Sequence, residues 1–243
     1  MIYAIIALIS TTLGALVGIG GGMIIRPVLA FMEVDKGLAS FTSAITVFSM
    51  AVINLLIHKM HKTPIDIKNN AFMAIGSVIG GFAGGSLLGL ASTMFVNIGF
   101  IVALAAVLFV IMFRDKLPQR IVKNPVAAMG IGLCTGLMSG FFGIGGGPFQ
   151  VAALITFFGY KPKDAAVQSI LITMLTTASS LIGYTINGDA NFSLAVYMIP
   201  AAVIGGILGA QLNRKFSHSR IALVFNITVA AIIVMQLYTV IFR

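Results

Sequence analysis

The sequence predicts an all-α polytopic membrane protein made of two inverted repeats of four hydrophobic segments each, and three observations predict it. Hydrophobic residues make up 59% of the 243 residues and charged ones only 9%, with a mean hydropathy of +1.08. Soluble domains carry roughly 25% charged residues. Stretches without Asp, Glu, Lys, Arg or His run over 1–25, 37–57, 69–113, 124–160, 165–188, 190–213 and 221–242. Nearly all of them reach the about 20 apolar residues that a bilayer crossing needs. Finally, the chain superimposes on itself when shifted by 125 or 126 positions.

The first repeat, 1–113, opens on an apolar segment interrupted by Gly18-Ile19-Gly20-Gly21-Gly22. It has no basic residue before its apolar run and many spans follow, so it reads as mature structure rather than a signal peptide. One plain segment leads to the polar connection His58 to Asn70, and the 69–113 stretch holds two crossings with a turn near Ala91-Ser92-Thr93. A basic connection, 114–124, joins the halves. The second repeat, 125–243, restates the first. Gly143–Gly147 falls on Gly18–Gly22, Gln168-Ser169 on Thr42-Ser43, and Val203-Ile204-Gly205-Gly206 with Gly209 on Val78-Ile79-Gly80-Gly81 with Gly84.

Equivalent loops have opposite charge. His58-Lys59-Met60-His61-Lys62 is basic and its counterpart Ile186–Asp189 is not; Leu90–Met94 is uncharged and its counterpart, Arg214-Lys215 through Arg220, is basic. Inversion predicts this, but it needs an odd number of crossings per half. If each glycine-broken segment enters and returns as a re-entrant hairpin, each half crosses three times. Lys and Arg then divide twelve against two between the two sides, whereas eight plain crossings give eight against six. The positive-inside rule makes the richer side cytoplasmic. That gives six full crossings, two hairpins and both termini outside. The same rule accounts for the net charge of +9, so the expected partner is the lipid bilayer and not nucleic acid.

Three adjacent glycines cost roughly 1 kcal/mol each in a helix relative to Ala. Irregular backbone survives at membrane depth only where protein or water covers it. A helix is therefore expected to end near Val17 and a short one to begin near Met23, with Pro148 suited to the first turn of the second short helix. Short helices starting near the midplane aim N–H groups and a positive dipole end inward, which favours an anion. Gly20, Gly21, Gly22, Gly145, Gly146 and Gly147 are thus candidate substrate-binding positions. Their other reading, close helix packing, fits the four-residue spacing of Gly76/Gly80/Gly84 and Gly132/Gly136/Gly140 better. The runs are not nucleotide loops, because Met23 or Pro148 fills the sixth position of G-x-G-x-x-G.

Arg26, the one charge inside an interior segment, either reaches back to the anion or snorkels to the outer surface. Thr42, Ser43, Gln168 and Ser169 follow the runs at matching positions and offer donors to oxyanion oxygens, as does Gln150. Each also has a local reading, with hydroxyls bonded to a preceding helical carbonyl. His58, His61 and His218 are expected in solvated cytoplasmic loops rather than at a metal, and no cofactor is expected. The single Cys134 excludes an internal disulfide. All six carboxylates lie in connections, so the acidic proton relay of a pump is absent. A carboxylate-free path suits an anion, and an inside-negative potential favours its efflux by about 2.3 kcal/mol per charge per 100 mV.

The G-x-G-G-G near the N-terminus, the Ser after Thr or Gln in the next segment, and their duplication resemble the TauE/SafE family of sulfite and organosulfonate exporters across residues 2 to 240. The resemblance implies a bacterial plasma-membrane carrier that exports sulfite or a related sulfur oxyanion by alternating access. An uptake carrier for organosulfonates is the alternative within transport. From other classes, an intramembrane enzyme lacks an embedded acid, base or metal set, so the chain is read as no enzyme; a scaffold has no need of two polar helix breaks. A homo-oligomer is left open.

Overall fold

The computed structural model describes residues 1–113 and 121–242; most of the 114–124 connection lies outside them. The described residues form α1 (Ile2–Val17), α2 (Gly22–Phe31), α3 (Lys36–Met60), α4 (Ile67–Leu88), α5 (Thr93–Met112), α6 (Pro125–Phe142), α7 (Gly147–Phe157), α8 (Pro162–Ile186), α9 (Ala195–Lys215) and α10 (His218–Phe242). Seven of these helices are long and apolar enough to cross a membrane, while α1, α2 and α7 are shorter. The seventh is α6, of 18 residues, which the charge count had assigned to a hairpin arm.

Polar residues set the helix starts. Asp35 accepts bonds from the Gly37 and Leu38 amides, Asp66 from the Asn69 amide, Ser92 from the Phe95 amide, and Asn124 from the Val126 amide. Each satisfies an amide that the first turn leaves unpaired. Two of the carboxylates expected in connections are therefore helix caps.

Glycine brings the helices together. A Cβ on Gly76, Gly80 or Gly84 would run into the carbonyl oxygens of Met129, Leu133 or Leu137, and one on Gly132, Gly136 or Gly140 into those of Met73, Ser77 or Gly81. α4 and α6 thus touch backbone to backbone on both sides of one seam, as small residues allow in lipid. Gly205 and Gly209 on α9 meet the Leu8 and Thr12 carbonyls on α1 in the same way. The first helix of each half rests on the third long segment of the other.

Two lysines tie the ends. Lys36 Nζ donates to the carbonyls of Leu88 (3.3 Å), Gly89 (3.4 Å) and Ala91, at the end of α4. Lys163 Nζ donates to the carbonyls of Arg214 and Phe216, at the end of α9, at 3.0 Å each. A cation there meets the negative end of the helix dipole. Asn187, just past α8, donates to the carbonyls of Gly85 and Ser86. The end of α8 therefore lies at the Lys36 end of the bundle, beside the start of α3. The Val122 amide donates to the Phe157 carbonyl at 2.8 Å, so α7 comes back to the level where α6 starts, at the opposite, Lys163 end.

One expectation is corrected. His58 is not in a solvated loop: it is in the last turn of α3 and only 1% exposed. Its neighbours in sequence are basic, but it lies on the face that α3 turns to the bundle. His61 is exposed and His218 begins α10.

Candidate functional site

At Gly18 the chain turns left-handed (φ 79°), Gly20 and Gly21 follow at φ 80° and 67°, and α2 starts at Gly22. Gly143, Gly145 and Gly146 repeat the sequence at φ 68°, 75° and 97° before α7 starts at Gly147. Only glycine holds these angles in series without strain.

The two turns meet. A Cβ on Gly22 would strike the Ile144 carbonyl, and one on Gly147 would strike the Ile19 carbonyl. Gly20 and Gly145 both face the Val47 side chain of α3, with Thr173 and Thr177 of α8 completing the contact. Gly21 instead lies on the backbone of Ser10 and Thr11, and Gly146 faces the Gln150 amide and the Ser139 hydroxyl. Every residue of both runs is buried. Two short helices, one from each half, thus begin at one closed centre.

The other predicted residues divide into those at this centre and those away from it. Ser43 Oγ donates to the Gly22 carbonyl at 3.4 Å, and Ser169 Oγ donates to the Gly18 carbonyl at 3.0 Å. Thr42 is buried with an unpartnered hydroxyl. Gln150 lies in a polar network that crosses three helices. Its Nε2 donates to Ser77 Oγ (3.1 Å) and Thr176 Oγ1 (2.9 Å), its Oε1 accepts from Thr173 Oγ1 (2.6 Å), and the Ser77 and Thr176 hydroxyls bond each other. Gln168 is turned away: its Oε1 accepts from the Asp66 and Asn70 nitrogens and its Nε2 donates to the Pro64 carbonyl, at the Lys163 end.

Arg26 neither snorkels into the open nor sits among the glycines. It is 1% exposed, and Nη1 donates to Asn97 Oδ1 of α5 at 2.6 Å. It lines a cavity of about 220 Å³ with Glu33, Asp35, Lys36, Thr93 and Asn97 at the Lys36 end. Nearby, Asp189 packs on Gly37. Burial first, and then Asp35, push its carboxyl pKa above the ordinary value, while Lys36 opposes them.

Sequence reading missed Asn97, Ser77, Thr173 and Thr176. Polar residues of α8 at Thr173, Thr176 and Thr177 do follow a helical face, but the face does not name their partners on other helices, Gln150 at 23 and 26 positions and Ser77 at 99. Among the described residues no group of three or more His, Cys, Asp or Glu could hold a metal.

Seven apolar helices around a buried polar centre define a multi-pass membrane protein of the transporter class. The chain matches the sulfite exporter TauE/SafE family over residues 3–235, and it belongs to that family. It is 27% identical to the probable membrane transporter protein YunE of Bacillus subtilis, across 100% of this chain and 98% of that one. It is 30% identical to a probable membrane transporter protein of Methanocaldococcus jannaschii, with 90% and 89% covered. A probable membrane transporter protein of Xylella fastidiosa is 29% identical, with 93% and 89% covered. No solved structure matches it.

Proposed function

We propose that the protein exports a small sulfur oxyanion, sulfite or a sulfonate, across a bacterial plasma membrane by alternating access. The path crosses the point where the two glycine turns meet. That meeting carries the reading: two short helices start there, from different halves, and each start aims amide dipoles at the place where an anion's charge would pass. Ser43, Ser169, Thr42 and Gln150 add hydroxyl and amide donors close by, and Arg26 attracts the anion at the Lys36 end. Gln168 then acts at the opposite mouth rather than at the centre.

The halves are read as inverted repeats with re-entrant first segments. Equivalent helices α3 and α8 running in opposite directions support this, since the start of α3 and the end of α8 share the Lys36 end. That end faces outward and the basic Lys163 end faces the cytoplasm, with both termini outside. Single cysteines in a Cys134→Ser background test this. Asn187→Cys and Ser92→Cys should label from outside, and Lys62→Cys and Ser217→Cys only after permeabilisation.

The functional test is flux of labelled sulfite, sulfate, thiosulfate and taurine in proteoliposomes, with and without an imposed potential. Sulfite moving faster than sulfate, outward when the inside is negative, is the expected result. Movement of none of the four would sink the substrate reading, and strictly inward accumulation would make the protein an uptake carrier.

A further inference from the structure

The buried face of α3 carries a feature that the glycine centre does not use. Val47, which touches both glycine turns, is followed along the same helix by Met50, Ala51, Asn54 and His58, all buried. Asn54 is fully buried and His58 is 1% exposed. Neither side-chain atom of the Asn54 amide and neither ring nitrogen of His58 has a hydrogen-bond partner. On α9, which packs against α3, Asn213 is 1% exposed; its Nδ2 holds the Leu16 carbonyl at 2.7 Å, while its Oδ1 is unpartnered. These three buried residues thus leave five donor or acceptor atoms unmet.

Leaving a buried polar group unpaired costs about 1–3 kcal/mol, and ionisable groups within membrane helices are functional positions by default. The other half shows that the fold does not require this cost. Ser180 and Tyr184 occupy the equivalent places on α8, and both are satisfied. Ser180 Oγ donates to the Gly81 carbonyl at 3.1 Å, and Tyr184 Oη donates to the Gly140 carbonyl. Where α8 closes its bonds, α3 leaves an imidazole and a carboxamide open.

Imidazole is the side chain that exchanges a proton near neutral pH. The charged groups around His58 are basic: Arg214 on α9 and His61 on α3, with Lys163 of α8 bonded to the Arg214 carbonyl. The described part of α1 within the bundle has no ionisable side chain beyond Tyr3. Among the described residues no carboxylate is paired with the ring. An imidazolium there has the Asn54 and Asn213 amide oxygens, and water when the Lys163 end opens, as its acceptors.

We propose that His58, with Asn54 and Asn213, is a proton-binding site loaded from the Lys163 end, so that opening that end takes up one proton from water. It rests on the alternating-access reading, and it gives the transport cycle a proton-carrying group other than a carboxylate. His58 lies eleven residues below Val47 on one helix, roughly 16 Å along its axis, so one rigid element links the site to the glycine centre.

The test has two arms. In nanodiscs, a His61→Gln/His218→Gln protein labelled with nitrogen-15 histidine leaves His58 as the single imidazole. Its ring should take up a proton reversibly as the pH falls, and Asn54→Leu should move the midpoint; a ring that stays neutral throughout overturns the proposal. In proteoliposomes clamped at zero potential, flux of methanesulfonate is followed, an anion with no proton to exchange in this range. Lowering the pH by one unit on the Lys163 side alone should change its flux severalfold in the native protein, and by less than twofold in His58→Gln. Equal responses in both also overturn it. If methanesulfonate and sulfite do not move at all, the substrate reading falls separately and the ring titration decides the proton site alone.

Discussion

Around Gly143–Gly147 the neighbouring side chains are polar, with Gln150 bonded to Ser77, Thr173 and Thr176. Around Gly18–Gly22 the equivalent positions carry Ile25, Ala202, Val47 and Met50, all buried and apolar. The backbone is nevertheless alike at both turns: each has glycines at positive φ, and each lies against the other's isoleucine carbonyl. Two-fold shape is held by glycine and main chain, while the chemistry sits in side chains that the halves do not share. Arg26, Asn54 and His58 belong to the first half, and the amide–hydroxyl network belongs to the second turn.

The largest effects should come from what the halves share. Gly147→Ala and Gly22→Ala each put a methyl group inside a carbonyl of the other turn, and overpacking costs about 1–3 kcal/mol even where the chain can adjust. Both should abolish sulfite flux and lower the Tm of purified protein by about 5 °C or more. Gly130→Ala, with no atom within 4 Å of the new methyl, should leave both unchanged. One turn tolerating alanine while the other does not would break the equivalence.

Next come the unshared charges. Arg26→Gln should insert normally and weaken anion binding by roughly 1.5–3 kcal/mol, about one to two decades in Kd, measured by titration calorimetry. Arg26→Lys should be intermediate, because it keeps the charge and loses the fork. An unchanged Kd would remove Arg26 from the path and leave it a tie between α2 and α5.

The network should give a smaller loss. Gln150→Leu leaves three hydroxyls short of a partner and should lower unfolding stability by about 1–3 kcal/mol. The converse change, Ile25→Gln, should also destabilise, since Val47 and Met50 offer its amide nothing. If Ile25→Gln is neutral, water reaches the first turn.

The smallest effect is a pH dependence from Asp189. Its folded pKa is raised, so its contribution to stability is present below the unfolded carboxyl pKa and is lost as pH rises through the folded value. Tm should therefore fall slightly as the pH rises above the ordinary carboxyl pKa of about 4, and Asp189→Asn should flatten that slope.

Much of the scaffold was legible in the sequence. Charge-free runs mark the long helices because lipid demands them, and the repeat offset pairs the glycine turns and the packing glycines before any contact is seen. Azimuth was not legible. A sequence places Gln168 and His58 at a depth, but which way they face depends on helices far along the chain. The Asp66 and Asn70 nitrogens draw Gln168 to the Lys163 end, and α9 covers His58 despite its basic neighbours. Arg26 likewise needed Asn97, 71 positions on, before its direction was defined.

The glycine seams have a further consequence for motion. α6 is laced to α4, and α1 to α9, by backbone contacts too close to slide without unzipping. A movement that parted residues 1–113 from residues 125–242 would tear both seams at once. In the proposed cycle, each glycine-broken segment would therefore travel with its host helix from the opposite half, so the rigid bodies would be chimaeras of residues 1–113 and 125–242, and the line of opening would run through each half rather than between them.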